Sequence, residues 1–329
     1  MAVFYATNSV SEVAGQSEVS VIASTFDSTY VSNSIRVPLS GARTLPMYIQ
    51  HNGDQTGDTI FCVHFDANLP SMSTSGVDGS WLSMFDSANR LRAYVDALNG
   101  TFCARIYDSS GGFTNGAYVA LPTGLNTFDV YFEDDGVNCT LELYSNGVLI
   151  TSATRASIIQ SVPNRIQFDH SDMTDFTSQY IYYSQIIVAN ESTVGMKVEF
   201  KDPAAAGNYT ALSATVTEVA DDDVTTGWSG DTATDKQSYT IGTYTPPASR
   251  QIHSVLPTFD LRVGATGPQN ILPFVRISAT DYDAPADIAP VNNSKQGIIG
   301  YAWSLNPATG VAWTGSDVSG MEAGLQIKT

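Results

Sequence analysis

Alternation of apolar and polar side chains constrains the fold of this chain more than any other feature of its sequence. The alternation is clearest in Thr127–Glu133, where Phe128, Val130 and Phe132 occupy every second position. A period of two residues places these three side chains on one face of an extended strand. The segment is therefore predicted to be a β-strand with one buried face and one exposed face.

The same pattern continues in the residues that follow and predicts a meander. A second alternating segment covers residues 140–144, and a third begins at residue 148, directly after Asn146 and Gly147. Both residues of an Asn-Gly pair accept positive φ angles, which a tight two-residue hairpin requires. We therefore predict three antiparallel strands, with Asn146 and Gly147 as structural residues at the second turn.

Short segments of this kind recur along the chain, separated by clusters of turn-forming residues. Further strand candidates lie at residues 19–24, 59–65, 91–95, 102–107, 165–168, 180–188, 212–217, 238–241, 252–263 and 274–277. No long segment of helical periodicity alternates with them, so parallel βαβ units are not expected. The pattern is typical of antiparallel sandwiches and barrels, and we expect an all-β fold.

The length of the chain indicates two domains. It has 329 residues, whereas single hydrophobic cores stop growing at about 250–300 residues. Lys201–Gly207 is rich in small residues and in Pro and Gly, as domain boundaries often are. We predict a β-sandwich over residues 1–200 and a second, smaller β-sandwich over residues 201–329.

One short helix is predicted near the C-terminus. Thr314 is a suitable N-cap, and Asp317 three residues later completes an acidic variant of the capping box. Trp313 and Val318 have the spacing of a hydrophobic staple across that cap. Gly324 is expected to end the helix in the left-handed conformation. Trp313, Thr314 and Val318 are therefore predicted to be structural residues of the second domain.

Charge and hydropathy argue against two classes of partner. The chain has 15 Lys+Arg and 33 Asp+Glu, a formal net charge of −18, and no basic cluster. Such a chain repels phosphate backbones, so no nucleic-acid partner is expected. The longest apolar stretch, near residues 181–189, is interrupted by Ser184 and Gln185 and is too short to cross a bilayer, so no membrane partner is expected.

The cysteines give no sign of a disulfide framework or a zinc site. Cys62, Cys103 and Cys139 are scattered, odd in number, and form no Cys-x-x-Cys pair. They are expected to be reduced and structural, which fits assembly in a reducing cytoplasm.

The sequence contains none of the common catalytic motifs, so no catalytic, cofactor-binding or metal-binding residue is predicted. The paired-carboxylate strand used by sandwich-fold glycosidases is missing, as are a nucleophile elbow and a phosphate-binding loop. The four histidines are dispersed without ligand spacing. Calcium is the one alternative left open, at the acidic turns Asp134–Asp135 and Asp221–Asp223, because oxygen-rich loops suit that ion.

A sugar contact is the other alternative that the residues leave open. Trp228 lies in the segment Thr226-Gly227-Trp228-Ser229-Gly230, where both neighbours indicate a loop. An exposed indole ring could stack on a sugar, although core packing is the default role of a tryptophan.

Two parts of the sequence resemble known families. The segment from Thr127 to Ile150, with Tyr144-Ser145-Asn146-Gly147 at its hairpin, resembles LamG/concanavalin-like lectin sandwiches. Residues 182–189 and 192–196 resemble the closing strand of such domains in phage virion proteins. The C-terminal combination of 267–270, 306–310, 313–314 and 322–324 is similar to a module of phage tail and structural proteins.

These resemblances imply a structural role without catalysis. The expected protein is a structural component of a tailed-bacteriophage virion, assembled in the host cytoplasm, as a tail-fibre or head-decoration subunit. Expected partners are other virion proteins and further copies of the chain, with a trimer as the expected oligomer. The alternative is a carbohydrate-binding adhesin, a lectin-like receptor-binding protein that recognises host surface glycans.

Overall fold

The computed structural model describes most of the chain and divides it into two compact units. The described residues are 3–7, 20–23, 33–39, 47–50, 58–70, 78–98, 100–107, 112–157, 161–168, 179–212, 215–219, 229–261, 270–289, 296–299 and 301–329. One unit, termed the N-terminal unit, comprises Phe4–Glu199, and Phe200–Thr329 lie in the other, the C-terminal unit.

Strands account for nearly all regular structure, in agreement with the expected all-β fold. The strands up to residue 189 are β1 (Val3–Thr7), β2 (Ser20–Ala23), β3 (Asn33–Leu39), β4 (Met47–Gln50), β5 (Ile60–Leu69), β6 (Asp78–Phe85), β7 (Leu91–Leu98), β8 (Thr101–Tyr107), β9 (Phe113–Asn115), β10 (Val119–Ala120), β11 (Gly124–Asp134), β12 (Asn138–Ser145), β13 (Val148–Ala156), β14 (Arg165–Phe168) and β15 (Gln179–Ala189).

The remaining elements belong to the C-terminal unit and include two short helices. They are β16 (Ala205–Thr210), α1 (Val216–Val219), β17 (Lys236–Thr240), β18 (Thr258–Leu261), β19 (Asn270–Ile277), β20 (Thr280–Asp283), β21 (Gln296–Ile299), α2 (Gly315–Ser319) and β22 (Met321–Lys328). Helix α1 includes residues 216 and 217, where a strand over residues 212–217 was predicted, so the prediction was wrong at that end; residues 213 and 214 lie outside the described residues. Within the described residues, neither helix is long enough or apolar enough to cross a membrane.

The N-terminal unit is an antiparallel sandwich of two sheets. The larger sheet has eight strands in the order β13-β12-β11-β5-β15-β3-β2, with β1 beside β15, among the described residues. The smaller sheet has seven, in the order β10-β8-β7-β6-β14-β4, with β9 beside β8. Alternation along each strand directs apolar side chains inward from both sheets, and their burial supplies the main stabilising free energy.

Aromatic rings from both sheets meet in the core of this sandwich. Phe65 and Phe128 of the larger sheet lie 5.5 Å and 5.0 Å, between ring centroids, from Trp81 of the smaller sheet. Phe102 of the smaller sheet stacks on Trp81 at 4.4 Å. The indole nitrogen of Trp81 donates to the Tyr183 hydroxyl at 2.8 Å, so the one polar group of this ring is satisfied.

The predicted meander is present as β11, β12 and β13. Phe128, Val130 and Phe132 are fully buried, and β12 pairs with both neighbours in antiparallel register. Asn146 and Gly147 have φ angles of 51° and 77°, as the tight hairpin requires. The Asn146 side chain also accepts a hydrogen bond from the Thr127 backbone N–H at 3.0 Å and so ties the turn to β11.

Arg92 connects the two sheets through buried ion pairs. Its guanidinium Nη2 lies 3.1 Å from Asp134 Oδ2, at the end of β11, and Nη1 lies 4.0 Å from Asp86 Oδ2, just after β6. It also donates to the carbonyl and hydroxyl oxygens of Ser161. Only 2% of the Arg92 side chain is exposed. Because buried charges are costly when unpaired, each member of this network depends on the others.

In the C-terminal unit, an antiparallel sheet in the order β16-β17-β22-β19-β20 packs against α2. A separate two-stranded sheet is formed by β18 and β21, and Phe259 of β18 packs on the same unit's core. Trp313 is 3% exposed and Val318 7%, and both belong to one cluster with Trp303 and Met321. The Trp313 indole donates to the Trp303 carbonyl at 2.8 Å.

The start of α2 has a complete capping box, but its end differs from the prediction. The Thr314 hydroxyl accepts from the Asp317 backbone N–H, and the Asp317 carboxylate accepts from the Thr314 backbone N–H. The helix stops at Gly320, and Gly324 instead lies within β22. A Cβ atom on Gly324 would approach the Phe274 ring to 2.6 Å, so this glycine makes room for strand packing rather than ending a helix.

Candidate functional site

The outer face of the smaller sheet, which points away from the sandwich core, carries an unusual group of side chains. On β7, Tyr94 and Asp96 point outward, while the residues between and beside them belong to the core. Arg105 lies directly opposite Tyr94 in the register of β7 and β8, and Tyr107 follows on the same face. The alternation of each strand therefore brings a cation, an anion and two phenol rings together.

Arg105 organises this group through directed contacts. Its Nη2 atom lies 2.5 Å from Asp96 Oδ2 and donates to the Tyr118 hydroxyl at 2.7 Å. Its Nη1 atom donates to the Tyr94 hydroxyl at 2.9 Å. The planar guanidinium supplies several donors in a fixed arrangement, so it holds both phenols in defined positions.

Aromatic rings surround this guanidinium and reach solvent. The Arg105 Cζ atom lies 5.4 Å, 5.2 Å and 5.9 Å from the ring centroids of Tyr94, Phe113 and Tyr118, within cation–π range. Phe113 is 48% exposed and Tyr118 45%. We call this group the aromatic patch; it consists of Tyr94, Asp96, Arg105, Tyr107, Phe113 and Tyr118.

Arg105 and Tyr94 keep their protonation states near neutral pH. Burial alone would lower the pKa of Arg105, but the carboxylate of Asp96 and then the Tyr94 phenol raise this pKa above its ordinary value. Burial raises the pKa of Tyr94, against the opposing effect of Arg105. The guanidinium therefore stays charged and paired with Asp96, and the Tyr94 phenol stays neutral.

A second cation–aromatic group lies on the same sheet, on β14 and its neighbours. The Arg165 Cζ atom is 4.5 Å from the Phe85 ring centroid and 5.9 Å from that of Tyr48. Arg165 also donates to the Asn89 side-chain oxygen. Both ends of the sheet's outer face thus combine a guanidinium with aromatic rings.

The larger sheet carries a second cluster of polar side chains, and this cluster is buried. The His64 Nδ1 atom lies 2.8 Å from Asp129 Oδ1, and the Thr193 hydroxyl donates to the same oxygen at 2.9 Å. The His64 and Asp129 side chains are 0% and 3% exposed. Burial, followed by the charge of Asp129, raises the pKa of neighbouring Cys62 far above its ordinary value. A solvent-excluded, protonated thiol cannot act as a nucleophile, so this cluster is an interior hydrogen-bond network.

All three cysteines should be unreactive in the folded protein. They are free and buried, and burial raises the pKa of Cys103 and raises that of Cys139 to about 12. In the native protein we expect the thiols to react very slowly with a disulfide reagent at pH about 8, close to the ordinary thiol pKa. After denaturation without reductant, all three thiols should react fully. Rapid labelling of any one cysteine in the native protein would contradict this burial.

The acidic residues of the two candidate calcium sites either form hydrogen bonds and ion pairs within the protein or lie outside the described part of the chain. Asp134 Oδ1 accepts from the Ser157 hydroxyl at 2.6 Å, while Oδ2 pairs with Arg92. Asp135 Oδ1 accepts from the backbone N–H groups of Val137 and Asn138, and these bonds lower the pKa of Asp135. Asp221–Asp223 are not among the described residues. In the parts of the chain that are described, no three His, Cys, Asp or Glu residues form a metal-binding group.

The sequence-predicted site residues do not converge on one place. Asn146 and Gly147 form a hairpin of the N-terminal unit, whereas Trp313, Thr314 and Val318 form the helix cap and core of the C-terminal unit. Trp228, the predicted sugar contact, lies outside the described residues. The aromatic patch was not predicted, although the Tyr-x-Asp pattern of β7 and the Arg-x-Tyr pattern of β8 could have indicated it.

Comparisons with known proteins identify no family for this chain. No family model matches it, and no curated protein sequence matches it. Among solved structures, the binding domain of Paraclostridial Mosquitocidal Protein 1 has a TM-score of 0.41 and 13% identity, covering 58% of this chain and 49% of that one.

Two further solved structures have comparable scores. The botulinum neurotoxin type G receptor-binding domain has a TM-score of 0.40 and 11% identity, over 91% of this chain and 77% of that one. A protein of unknown function from Shewanella oneidensis MR-1 has a TM-score of 0.35 and 13% identity, over 54% of this chain and 76% of that one. The function of this all-β protein is therefore inferred from its own side chains.

Proposed function

We propose that this protein is a carbohydrate-binding, adhesin-like protein and that the aromatic patch is its ligand site. The observation that carries the proposal is the pair of half-exposed rings, Phe113 and Tyr118, held around Arg105 on the outer face of a sheet. Large exposed rings are costly to leave in water, and they mark binding surfaces when they cluster.

The chemistry of the aromatic patch suits a sugar. A pyranose has an apolar face of C–H groups and a rim of hydroxyls, so it can stack on a ring while its rim forms hydrogen bonds. Phe113 and Tyr118 provide rings, and the Arg105 guanidinium and the phenol groups provide a polar edge, while the buried Asp96 carboxylate holds Arg105 in place. Because Arg105 already fixes these groups, little side-chain freedom is lost on binding.

The site is proposed to bind without cleaving. Glycoside hydrolysis uses two carboxylates that flank the scissile bond. Asp96 is the carboxylate of the aromatic patch, and its Oδ2 atom is paired with Arg105 at 2.5 Å.

The decisive experiment compares Tyr118→Ala with wild type on an array of immobilised bacterial polysaccharides and oligosaccharides. Loss of one stacking ring should weaken binding about tenfold, which corresponds to about 1.4 kcal/mol. Tyr118→Phe keeps the ring and loses only the hydroxyl that Arg105 holds, so it should lose less affinity than Tyr118→Ala. Tyr301→Ala is the matched control, because Tyr301 is 41% exposed and lies in the C-terminal unit.

Treatment of the target surface separates a glycan from a protein receptor. Periodate oxidation, which destroys vicinal diols, should abolish binding to intact bacterial cells, and protease treatment of those cells should not. Binding that survives periodate but is lost after protease would assign the patch to a protein partner and overturn the proposal. New reducing ends in the incubated polysaccharide would contradict binding without cleavage.

The virion role is proposed separately, from the resemblance of the C-terminal combination to phage structural modules. A receptor-binding fibre of a phage would unite both roles, with virion proteins and further copies of the chain, as a trimer, for partners.

A further inference from the structure

Six side chains form one straight row across the smaller sheet, at right angles to its strands. Arg105 is in register with Asn115 on one side and with Tyr94 on the other. The pairing continues from Tyr94 to Ser83, and then through Gln167 to Tyr48. Residues in register share a face of a sheet, so the whole row lies on the outer face. The row consists of Asn115, Arg105, Tyr94, Ser83, Gln167 and Tyr48.

The row has large groups at its two ends and small polar groups between them. At one end is the aromatic patch around Arg105, and at the other Tyr48 lies beside Arg165. Ser83, between Tyr94 and Gln167, has a short side chain and is 4% exposed, so its neighbours cover it. The surface is therefore a polar track between two aromatic groups.

The length of this track can be estimated from strand spacing. Neighbouring strands lie roughly 4.8 Å apart, so the five steps from β9 to β4 span about 24 Å, or about four to five pyranose units of about 5 Å each. A single sugar would occupy only one end of such a surface.

We propose that the smaller sheet binds a linear oligosaccharide along this row, with the aromatic patch as one subsite and Tyr48 with Arg165 as the distant subsite. This inference rests on the proposed function and adds the class of ligand, which is an extended chain rather than a terminal sugar. Gln167, which is partly exposed, lies in the middle of the track, where its side-chain amide can form hydrogen bonds with hydroxyl groups of the chain.

The test is the dependence of affinity on chain length. Calorimetric titration uses linear gluco-oligosaccharides, from disaccharide to octasaccharide, in the β-1,4, β-1,3 and α-1,4 series. Affinity in the series that binds should rise up to the tetrasaccharide or pentasaccharide and then stay constant. Tyr48→Ala should weaken the pentasaccharide about tenfold, or about 1.4 kcal/mol, and leave the disaccharide unchanged.

The variants distinguish failure of this inference from failure of the proposed function. Tyr118→Ala should weaken every length that binds, because it alters the aromatic patch itself. If the disaccharide binds as tightly as the pentasaccharide and remains sensitive to Tyr118→Ala, the linear track is wrong and the sugar site stands. If Tyr48→Ala leaves the pentasaccharide unaffected, the track is also wrong. If no oligosaccharide series binds and Tyr118→Ala is indistinguishable from wild type, both the linear track and the proposed sugar site are wrong.

Discussion

Trp313→Ala is expected to unfold the C-terminal unit while the N-terminal unit stays folded. Trp313 is 3% exposed, packs in one cluster with Val318 and Met321, and donates its indole N–H to the Trp303 carbonyl at 2.8 Å. Replacing a buried tryptophan by alanine typically costs about 3–5 kcal/mol, which is a large share of the stability of a small domain. Limited proteolysis with mass spectrometry of the fragments should show rapid loss of sequence after residue 200.

Thr314→Ala is the matched control, since it changes the adjacent residue and removes only the cap of α2. Loss of the hydroxyl that accepts from the Asp317 backbone N–H should cost about 1 kcal/mol. This variant should remain as protease-resistant as wild type at moderate temperature. If the C-terminal unit of Trp313→Ala were as protease-resistant as wild type, the indole would contribute little to the stability of the core and the prediction would be wrong.

The second large effect is expected from Arg92→Ala in the N-terminal unit. Removal of this guanidinium takes away the cation that pairs with the buried carboxylate of Asp134, whereas Asp86 keeps its ion pair with Arg90. Breaking a buried ion pair from one side typically costs about 3–5 kcal/mol, because a charge remains without compensation. Chemical denaturation of the full chain should show this loss in the transition of the N-terminal unit.

Arg90→Ala provides a control that shares the same partner. Arg90 also pairs with Asp86, at 2.8 Å, but its side chain is 49% exposed. Exposed ion pairs contribute roughly 0–1 kcal/mol, so this variant should be close to wild type. If Arg92→Ala and Arg90→Ala lowered the free energy of unfolding equally, the prediction that the buried ion pair contributes more than the exposed one would be wrong.

Local features of the fold were predictable because they depend on residues close in sequence. The strands β11, β12 and β13 follow from period-two alternation, and the hairpin follows from the φ preferences of Asn146 and Gly147. The capping box of α2 depends only on Thr314 and Asp317, three residues apart. The prediction that Gly324 ends the helix was wrong, because the sequence does not distinguish a glycine that ends a helix from one that makes room for a neighbouring ring.

The contacts that define the candidate sites depend instead on strand order, which local patterns do not contain. Alternation alone places His64 and Asp129 on the faces of their strands opposite the sandwich core, but only the pairing of β5 with β11 places them 2.8 Å apart, across 65 residues. The same holds for the outer face of the smaller sheet. Tyr48 and Tyr94 join one row only because β14 and β6 lie between their strands. The sequence thus determines which face each side chain occupies, whereas long-range pairing of the strands decides which side chains meet.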